Sequence, residues 1–397
     1  GIAFRAADKE LCETIEGAVK TLVDNGTYAK IAEKYPDIAS IMGELVYNYV
    51  TALGMKAHKQ TVEGDRFNVI ATAQIGNGAG KTVVLNSHMD VVPAADGWDT
   101  DPWKLTVIGD RAFGRGSTDA KGCMTGLLIG AKRVMENPDG LNGKIVFTAV
   151  VDEETYSKGA RKLVEDPEVM GDYGIIGEPT RCGIGICHNG SIRPVLVIHG
   201  KTAHSSTPEL GISSVRVAAY ISGLVDKIQK GLHEIKHSSG GSPSISITLV
   251  KAGVKENVLP DWCELTIDRR MVPGEDEKEI IKSFEKICKD AEAAFPGAKV
   301  EIDHYLVTTG PASESKPDSE IVQKAYAACE RVTGVKQTPF GLTCNTDMNH
   351  FVRKGIPCVI IGPEIIDICH KPNEYVRLDQ LELDCNVVEA VIREFLK

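Results

Sequence analysis

Aromatic residues are scarce in this chain, 6% of 397 positions. That leaves too few rings for the base-stacking surface of a single-strand nucleic-acid binder. Basic clusters are missing as well: no Lys/Arg run stands out, and the formal net charge is −10. Nucleic acid and anionic membrane surfaces are therefore not expected partners. No apolar segment approaches the ~20 residues that span a bilayer, so no membrane crossing is expected. Cysteine is present but unorganised. The eleven cysteines are odd in number and form no CxxC pair, which does not suit a secreted disulfide framework. They read as reduced core thiols of a cytoplasmic protein. Internal repeats and low-complexity stretches are also lacking.

What remains is ordinary globular material, 42% hydrophobic and 25% charged, on a chain long enough for two or three domains. Residues 37–182 alternate helix and strand patterns. IASIMGELVYNYVTALGM has a helical apolar stripe ending at Gly54, and strands are expected at 68–74 and 82–87. A helix follows DAKGCMTG, and KIVFTAVV and YGIIGEP are further apolar runs. This alternation predicts an α/β domain with a mixed, largely parallel sheet flanked by helices. Between 183 and 311 the texture changes to alternating strands (RPVLVIHG, SISITLVKAG, CELTIDRRMV, KVEIDHYLV) with helices over 212–229 and 276–294. That is an inserted α+β domain. The α/β texture resumes over 312–397.

Ahead of these domains, residues 1–36 form a segment of their own. Leu11, Ile15, Val19 and Leu22 make a helical stripe, and DNGTYAKIAEKYPD follows. The segment resembles the closing helices of periplasmic polar-amino-acid-binding proteins. It has the pattern of neither a signal peptide nor a transit peptide.

Ionisable residues gather where strands end. The run VVLNSHMDVVP stops on His88, with Asp90 two residues on. Strand alternation would project the two side by side, and a neighbouring carboxylate fixes an imidazole tautomer and leaves its other nitrogen free. VVDEET places Glu153 and Glu154 after another strand, where strand geometry would point them apart, and IIGEP places Glu178 after a third. Asp119 sits in the glycine-rich turn GRGSTDAKG, and His370 follows VIIGP in ICHKPNEY. In open α/β sheets, sites collect at the carboxyl ends of strands. Any one of these residues alone is ordinarily satisfied by local hydrogen bonds. Together, two histidines and several carboxylates form a ligand set for Zn²⁺, with Co²⁺ or Mn²⁺ also suited.

HMDVVP, GRGSTDAKG, DEE, GEP and CHKPNEYV, in this order, resemble the metal-site motifs of the M20 metallopeptidases and deacylases. The likeness covers roughly residues 37–397 and is nearest to the acetylornithine deacetylase/succinyl-diaminopimelate desuccinylase branch, where NTDMNHF also has its counterpart. The resemblance implies two divalent metal ions bridged by Asp119. His88 and Glu178 would complete one, and Glu154 and His370 the other. Glu153 would be the general base and Asp90 the residue that orients His88. It further implies a cis peptide between Asp119 and Ala120, and a lid/dimerisation role for 183–311. There, His204 in HGKTAHSSTPELG would reach a partner subunit's active site, while Arg270 and Asn257 in ENVLPDWCELTIDRRMVPG would bind the substrate carboxylate. The expected protein is a homodimeric amidohydrolase acting on N-acyl amino acids (deacetylase or desuccinylase type) or short peptides. A dipeptidase or aminopeptidase of the same family is an alternative. A non-catalytic amino-acid-binding protein, suggested by residues 1–36 alone, is an alternative of another class.

Overall fold

The computed structural model describes residues 38–397, and the expectations for residues 1–36 fall outside the described residues. The chain divides into two compact units. The first holds the described residues up to Cys187 together with Ser315–Leu342 and Thr346–Lys397. The second holds His188–Glu314 and Thr343–Asn345.

The first unit opens with α1 (Ile38–Ala52), which stops at Gly54, whose φ of +82° is the left-handed conformation that glycine adopts freely past a helix end. Next come β1 (Lys56–Glu63), β2 (Arg66–Ile75) and β3 (Lys81–His88). β1 was not expected. Its polar sequence has no buried position, only exposed and half-buried ones, because it lies at a sheet edge. Two short strands, β4 (Thr106–Ile108) and β5 (Arg111–Phe113), precede α2 (Lys121–Glu136). Then follow β6 (Gly143–Val150), α3 (Lys158–Leu163) and β7 (Tyr173–Ile176).

The second unit is a four-stranded antiparallel sheet of β8 (Gly190–His199), β9 (Ser244–Ala252), β10 (Trp262–Met271) and β11 (Lys299–Leu306), in the order β9-β10-β8-β11. α4 (Ser214–Leu232) and α5 (Glu277–Ala294) pack on it. Each helix starts at a side-chain cap, Ser213 accepting from Arg216 N and Asp276 from Lys278 N. Leu196, Ile221, Leu265, Ile267 and Phe284 form its core. α4 contributes to this core: Ile221 is buried, and Leu224, Ile228 and the preceding Ile212 pack against it.

Returning to the first unit, the chain forms α6 (Glu320–Thr333), α7 (Met348–Arg353), β12 (Cys358–Ile360), β13 (Tyr375–Arg377) and α8 (Leu378–Phe395). The central sheet has the order β1-β2-β6-β3-β7-β12. The β1/β2 and β2/β6 pairs are antiparallel, and the β6/β3, β3/β7 and β7/β12 pairs are parallel. This is the mixed, largely parallel sheet that the alternation predicts. α8 packs against both α2 and α6. With β3 between β6 and β7, the carboxyl ends of three adjacent parallel strands deliver His88, the segment 152–154 and Glu178 to one place.

Candidate metal centre

β3 ends on His88 itself, which is 1% exposed. The strand therefore does not reach Asp90, and side-by-side projection does not apply. Instead His88 Nδ1 lies 3.0 Å from the carbonyl oxygen of Asp90 and 3.6 Å from its carboxylate. A nitrogen that donates to a carbonyl carries the proton, so Nε2 is the nitrogen turned toward the carboxylates of the cluster. His88 Nε2 stands 2.9 Å from Asp119 Oδ1 and 3.8 Å from Glu178 Oε1. The Asp90 carboxylate accepts from the backbone N–H groups of Glu153 (3.2 Å) and Glu154 (3.0 Å). It joins the end of β3 to the turn after β6.

That turn departs from strand geometry. β6 stops at Val150, and Asp152, Tyr156 and Ser157 have φ of +63°, +82° and +52°. Such left-handed non-glycine residues cost on the order of 1–3 kcal/mol each and persist where their surroundings hold them. Arg66 Nη1 donates to Asp152 Oδ1 at 2.6 Å. Asn68 accepts from Val151 N (3.2 Å) and donates to the Gly159 carbonyl (2.9 Å). Alternation along a strand accordingly says nothing about where Glu153 and Glu154 point.

Asp119 is the meeting point. Its second oxygen is 3.2 Å from His370 Nε2, which is also 3.0 Å from Glu154 Oε1. His370 has a φ of +65°. The ligand atoms of His88, Asp119 and Glu154 all lie within 4.8 Å of one another. The Asp119–Ala120 peptide is cis. Burial works against charge on His88, yet Asp119 and Asp90 hold it well above its usual value. Contact with Asp119 and then Glu154 raises His370 to about 10. Burial opposes charge on Asp119, but His370 and His88 hold its carboxyl well below the carboxylate range. Burial pushes Glu178 well above that range. It does the same to Glu153, with Asp347, Glu178 and Glu154 adding to the effect and His88 opposing it.

Asp90, Asp119, Glu153 and Glu178, largely or wholly out of water, thus face two imidazoles. Buried like charges are expensive unless a cation neutralises them. A donor set of imidazole nitrogen and carboxylate oxygen without a thiolate suits a zinc-like divalent ion. His88, Asp119, Glu154, Glu178 and His370 fit such a metal.

The sequence reading assigned no role to several residues near this cluster. Asp347, 1% exposed, accepts from Asn86 Nδ2 at 3.2 Å, and Asn86 Oδ1 accepts from Thr148 Oγ1 at 2.9 Å. Asn86 is two residues before His88 on β3, and that shared strand face was the available signal. Lys121, two residues after Asp119, is buried, and burial lowers it to about 8. Glu374, inside CHKPNEYV, is fully buried.

Three expected residues lie in the second unit. His204 is exposed, and its Nδ1 accepts from Ser206 N (3.2 Å) and sits 2.8 Å from Ser206 Oγ. A backbone N–H can only donate, so neutral His204 carries its proton on Nε2. Asn257 is exposed, and its carbonyl accepts from Ser205 N at 3.1 Å. Arg270 Nε lies 2.9 Å from Asp268 Oδ1, on the same strand face, and Asp268 also accepts from Arg193 Nε at 2.7 Å. Its neighbour Arg269 is buried on the opposite face against Glu275. Of the adjacent arginines, Arg270 is the more accessible.

Comparison with known proteins gives these arrangements a lineage. Residues 84–394 match Peptidase family M20/M25/M40. An acetylornithine deacetylase of Vibrio vulnificus (strain CMCP6) is 28% identical over 356 residues, covering 89% of this chain and 90% of that protein. Aminopeptidase PepT from Bacillus cereus ATCC 10987 superposes with a TM-score of 0.75 at 22% identity, over 91% of this chain and 94% of that one. A dinuclear metal binding peptidase of the M20 family from Bacillus subtilis superposes with a TM-score of 0.65 at 19% identity, over 88% and 91% of the two chains. The chain belongs to peptidase family M20/M25/M40 and is a metal-dependent hydrolase of the M20 type.

Proposed function

We propose that the protein is a two-metal amidohydrolase that removes the acyl group from N-acyl amino acids, in the manner of a deacetylase or desuccinylase. The observation that carries this reading is the convergence of His88, Asp119, Glu154, Glu178 and His370 around one carboxylate, Asp119, that touches both histidines. Asp119 would bridge two ions, His88 and Glu178 holding one, Glu154 and His370 the other. Zinc suits the donor set best, and cobalt or manganese would also be accepted. When bound, such ions lower the pKa of water and polarise a carbonyl.

The chain's own groups do the rest. Glu153 takes the proton of the attacking water and delivers it to the leaving amine nitrogen as the C–N bond breaks. Asp90 holds the amides of both Glu153 and Glu154 and so sets their turn. His204, with its proton on Nε2, would donate a hydrogen bond to the developing oxyanion in the cleft of a partner subunit. Arg270 and Asn257 would take the carboxylate of the substrate. The second unit would serve as lid and homodimer interface. A cytoplasmic location is supported by the cysteines, which form no disulfide among the described residues.

The acetylornithine deacetylase relative covers most of both chains and supports acyl amino acids over peptides. The peptidase neighbours support a dipeptidase or aminopeptidase instead, through fold alone. Turnover of N-acetyl amino acids, N-succinyl amino acids and dipeptides by the zinc-loaded protein decides between them. Dipeptide cleavage without deacylation would replace the first reading by the second. Absence of all three activities in protein holding two ions would sink both.

A further inference from the structure

Glu374 is a buried carboxylate that no part of the proposed chemistry uses. It lies four residues after His370 and directly before β13, with 0% of its surface exposed. Burying a carboxylate without partners is costly, and this one is surrounded by donors. Oε2 accepts from Arg115 Nη1 at 2.5 Å and from Gly116 N at 3.1 Å. Oε1 accepts from Thr118 N at 2.9 Å and from Asp119 N at 3.0 Å. Three of the four donors are backbone amides of the turn that carries Asp119, and one is the amide of Asp119 itself. The main chain repeats the link: Gly114 N donates to the Glu374 carbonyl at 3.0 Å, and Thr118 Oγ1 donates to the Tyr375 carbonyl. β13 also pairs with β5, which leads into this turn. One side chain thus fastens the loop of Asp119 to the loop of His370, whose side chains meet at 3.2 Å.

Resting on the two-metal reading of the site, we infer that Glu374 is a positioning residue for the metal centre: it fixes Asp119 relative to His370 by holding the amides of Gly116, Thr118 and Asp119. Its work is done through backbone, so it touches neither ligand atom. An amide in its place would offer one accepting oxygen and turn an NH₂ toward N–H donors, which repels them. Groups behind metal ligands typically change metal affinity by about 10–100-fold when altered.

The test compares Glu374→Gln and Glu374→Asp with the wild-type full chain, by zinc titration and by amide hydrogen exchange of the metal-free proteins. Glu374→Gln is expected to keep its circular dichroism but to melt at a lower temperature, because Arg115 loses its buried counter-charge. Its zinc affinity should fall about 10–100-fold, kcat should drop with KM held, and exchange at Gly116, Thr118 and Asp119 should accelerate. A folded Glu374→Gln with wild-type zinc affinity and exchange overturns the inference. If that variant does not fold, Glu374→Asp decides. It keeps the charge beside Arg115 but withdraws the carboxylate by one methylene. Folded with weakened zinc binding it supports the inference. Folded with wild-type binding it overturns it, and failure to fold makes Glu374 a residue of the fold alone, which also overturns it. A wild-type chain that takes up no zinc would fell the two-metal reading instead, and exchange in the metal-free proteins would still decide the role of Glu374.

Discussion

Individual residues carry the chemistry, and two of them give sharp tests. Glu153 sits within a strained turn, its amide held by Asp90 and its carboxyl buried beside Glu178 and Asp347. Replacing it with glutamine preserves size and removes the proposed base. Glu153→Gln is expected to keep both metals, measured by metal content after dialysis, while kcat falls ~10²–10⁴-fold. Wild-type kcat would refute its role. Asp384 on α8 makes a different point. It is 0% exposed, and neither carboxyl oxygen has a hydrogen-bond partner among the described residues. Burial pushes its carboxyl well above its ordinary value. The sign follows from linkage: the folded state binds this proton more tightly than the unfolded chain. The stability it contributes is complete below about pH 3.8 and is lost as pH rises toward the raised folded value. Asp384→Asn removes the titration, so the variant should gain on wild type as pH climbs from 5 to 8, reaching about 1–3 kcal/mol. Thermal or urea unfolding at several pH values measures this. A stability difference that does not change with pH would show that Asp384 does not titrate on folding.

Among the elements, α2 and α8 show why composition alone misleads. Gly126 and Gly130 lie within α2, where glycine is unfavourable by about 1 kcal/mol relative to alanine. The structure explains both. A Cβ on Gly126 would meet Asp384 Oδ2 at 1.8 Å, and one on Gly130 would meet Val388 Cγ1 at 2.6 Å and the Glu389 nitrogen at 2.9 Å. The helices therefore approach backbone to side chain, and a methyl group has no room. Gly130→Ala pits a propensity gain of about 1 kcal/mol against overpacking that typically costs 1–3 kcal/mol. Backbone cannot yield as a side-chain tip can, so packing wins. The melting temperature should fall, and a rise would mean the helices can separate freely. The edge strand β1 illustrates the opposite case. Its polar sequence gave no strand signal because only one of its edges is paired and much of its surface meets solvent.

For the whole molecule, the proposal that His204 acts across a dimer is testable without knowing the acyl group. A His204→Ala chain and a Glu153→Gln chain are each expected to be inactive alone. Mixed into heterodimers, they should regain activity, because one cleft then pairs an intact metal site with an intact partner histidine. One oxyanion donor is worth ~3–4 kcal/mol, so the recovered signal stands well above background. Heterodimers verified by differential tags but without activity would confine His204 to its own subunit or to no catalytic role.

Much of this protein was legible in its sequence. Helix and strand periods are local, set by side-chain direction along the backbone, and they announced the α/β texture and the inserted α+β sheet. The candidate ligands His88, Glu154 and Glu178 were visible because each sits at or just beyond the end of an apolar strand, and such ends point toward the site in a parallel sheet, whereas Asp119 and His370 were legible through the motifs GRGSTDAKG and CHKPNEYV. The sequence was silent wherever function depends on contacts between distant segments. Asp90 looked like a strand neighbour of His88, but β3 ends first; its carboxylate stays 3.6 Å from His88 Nδ1 and also accepts from the amides of Glu153 and Glu154, a second role the sequence did not announce. Asp347 reaches Asn86 across 261 positions, and Glu374 reaches the Asp119 turn across 255 to 259. A carboxylate's role is set by which donors surround it once it leaves water, and only the packed chain brings those donors within 3 Å or so.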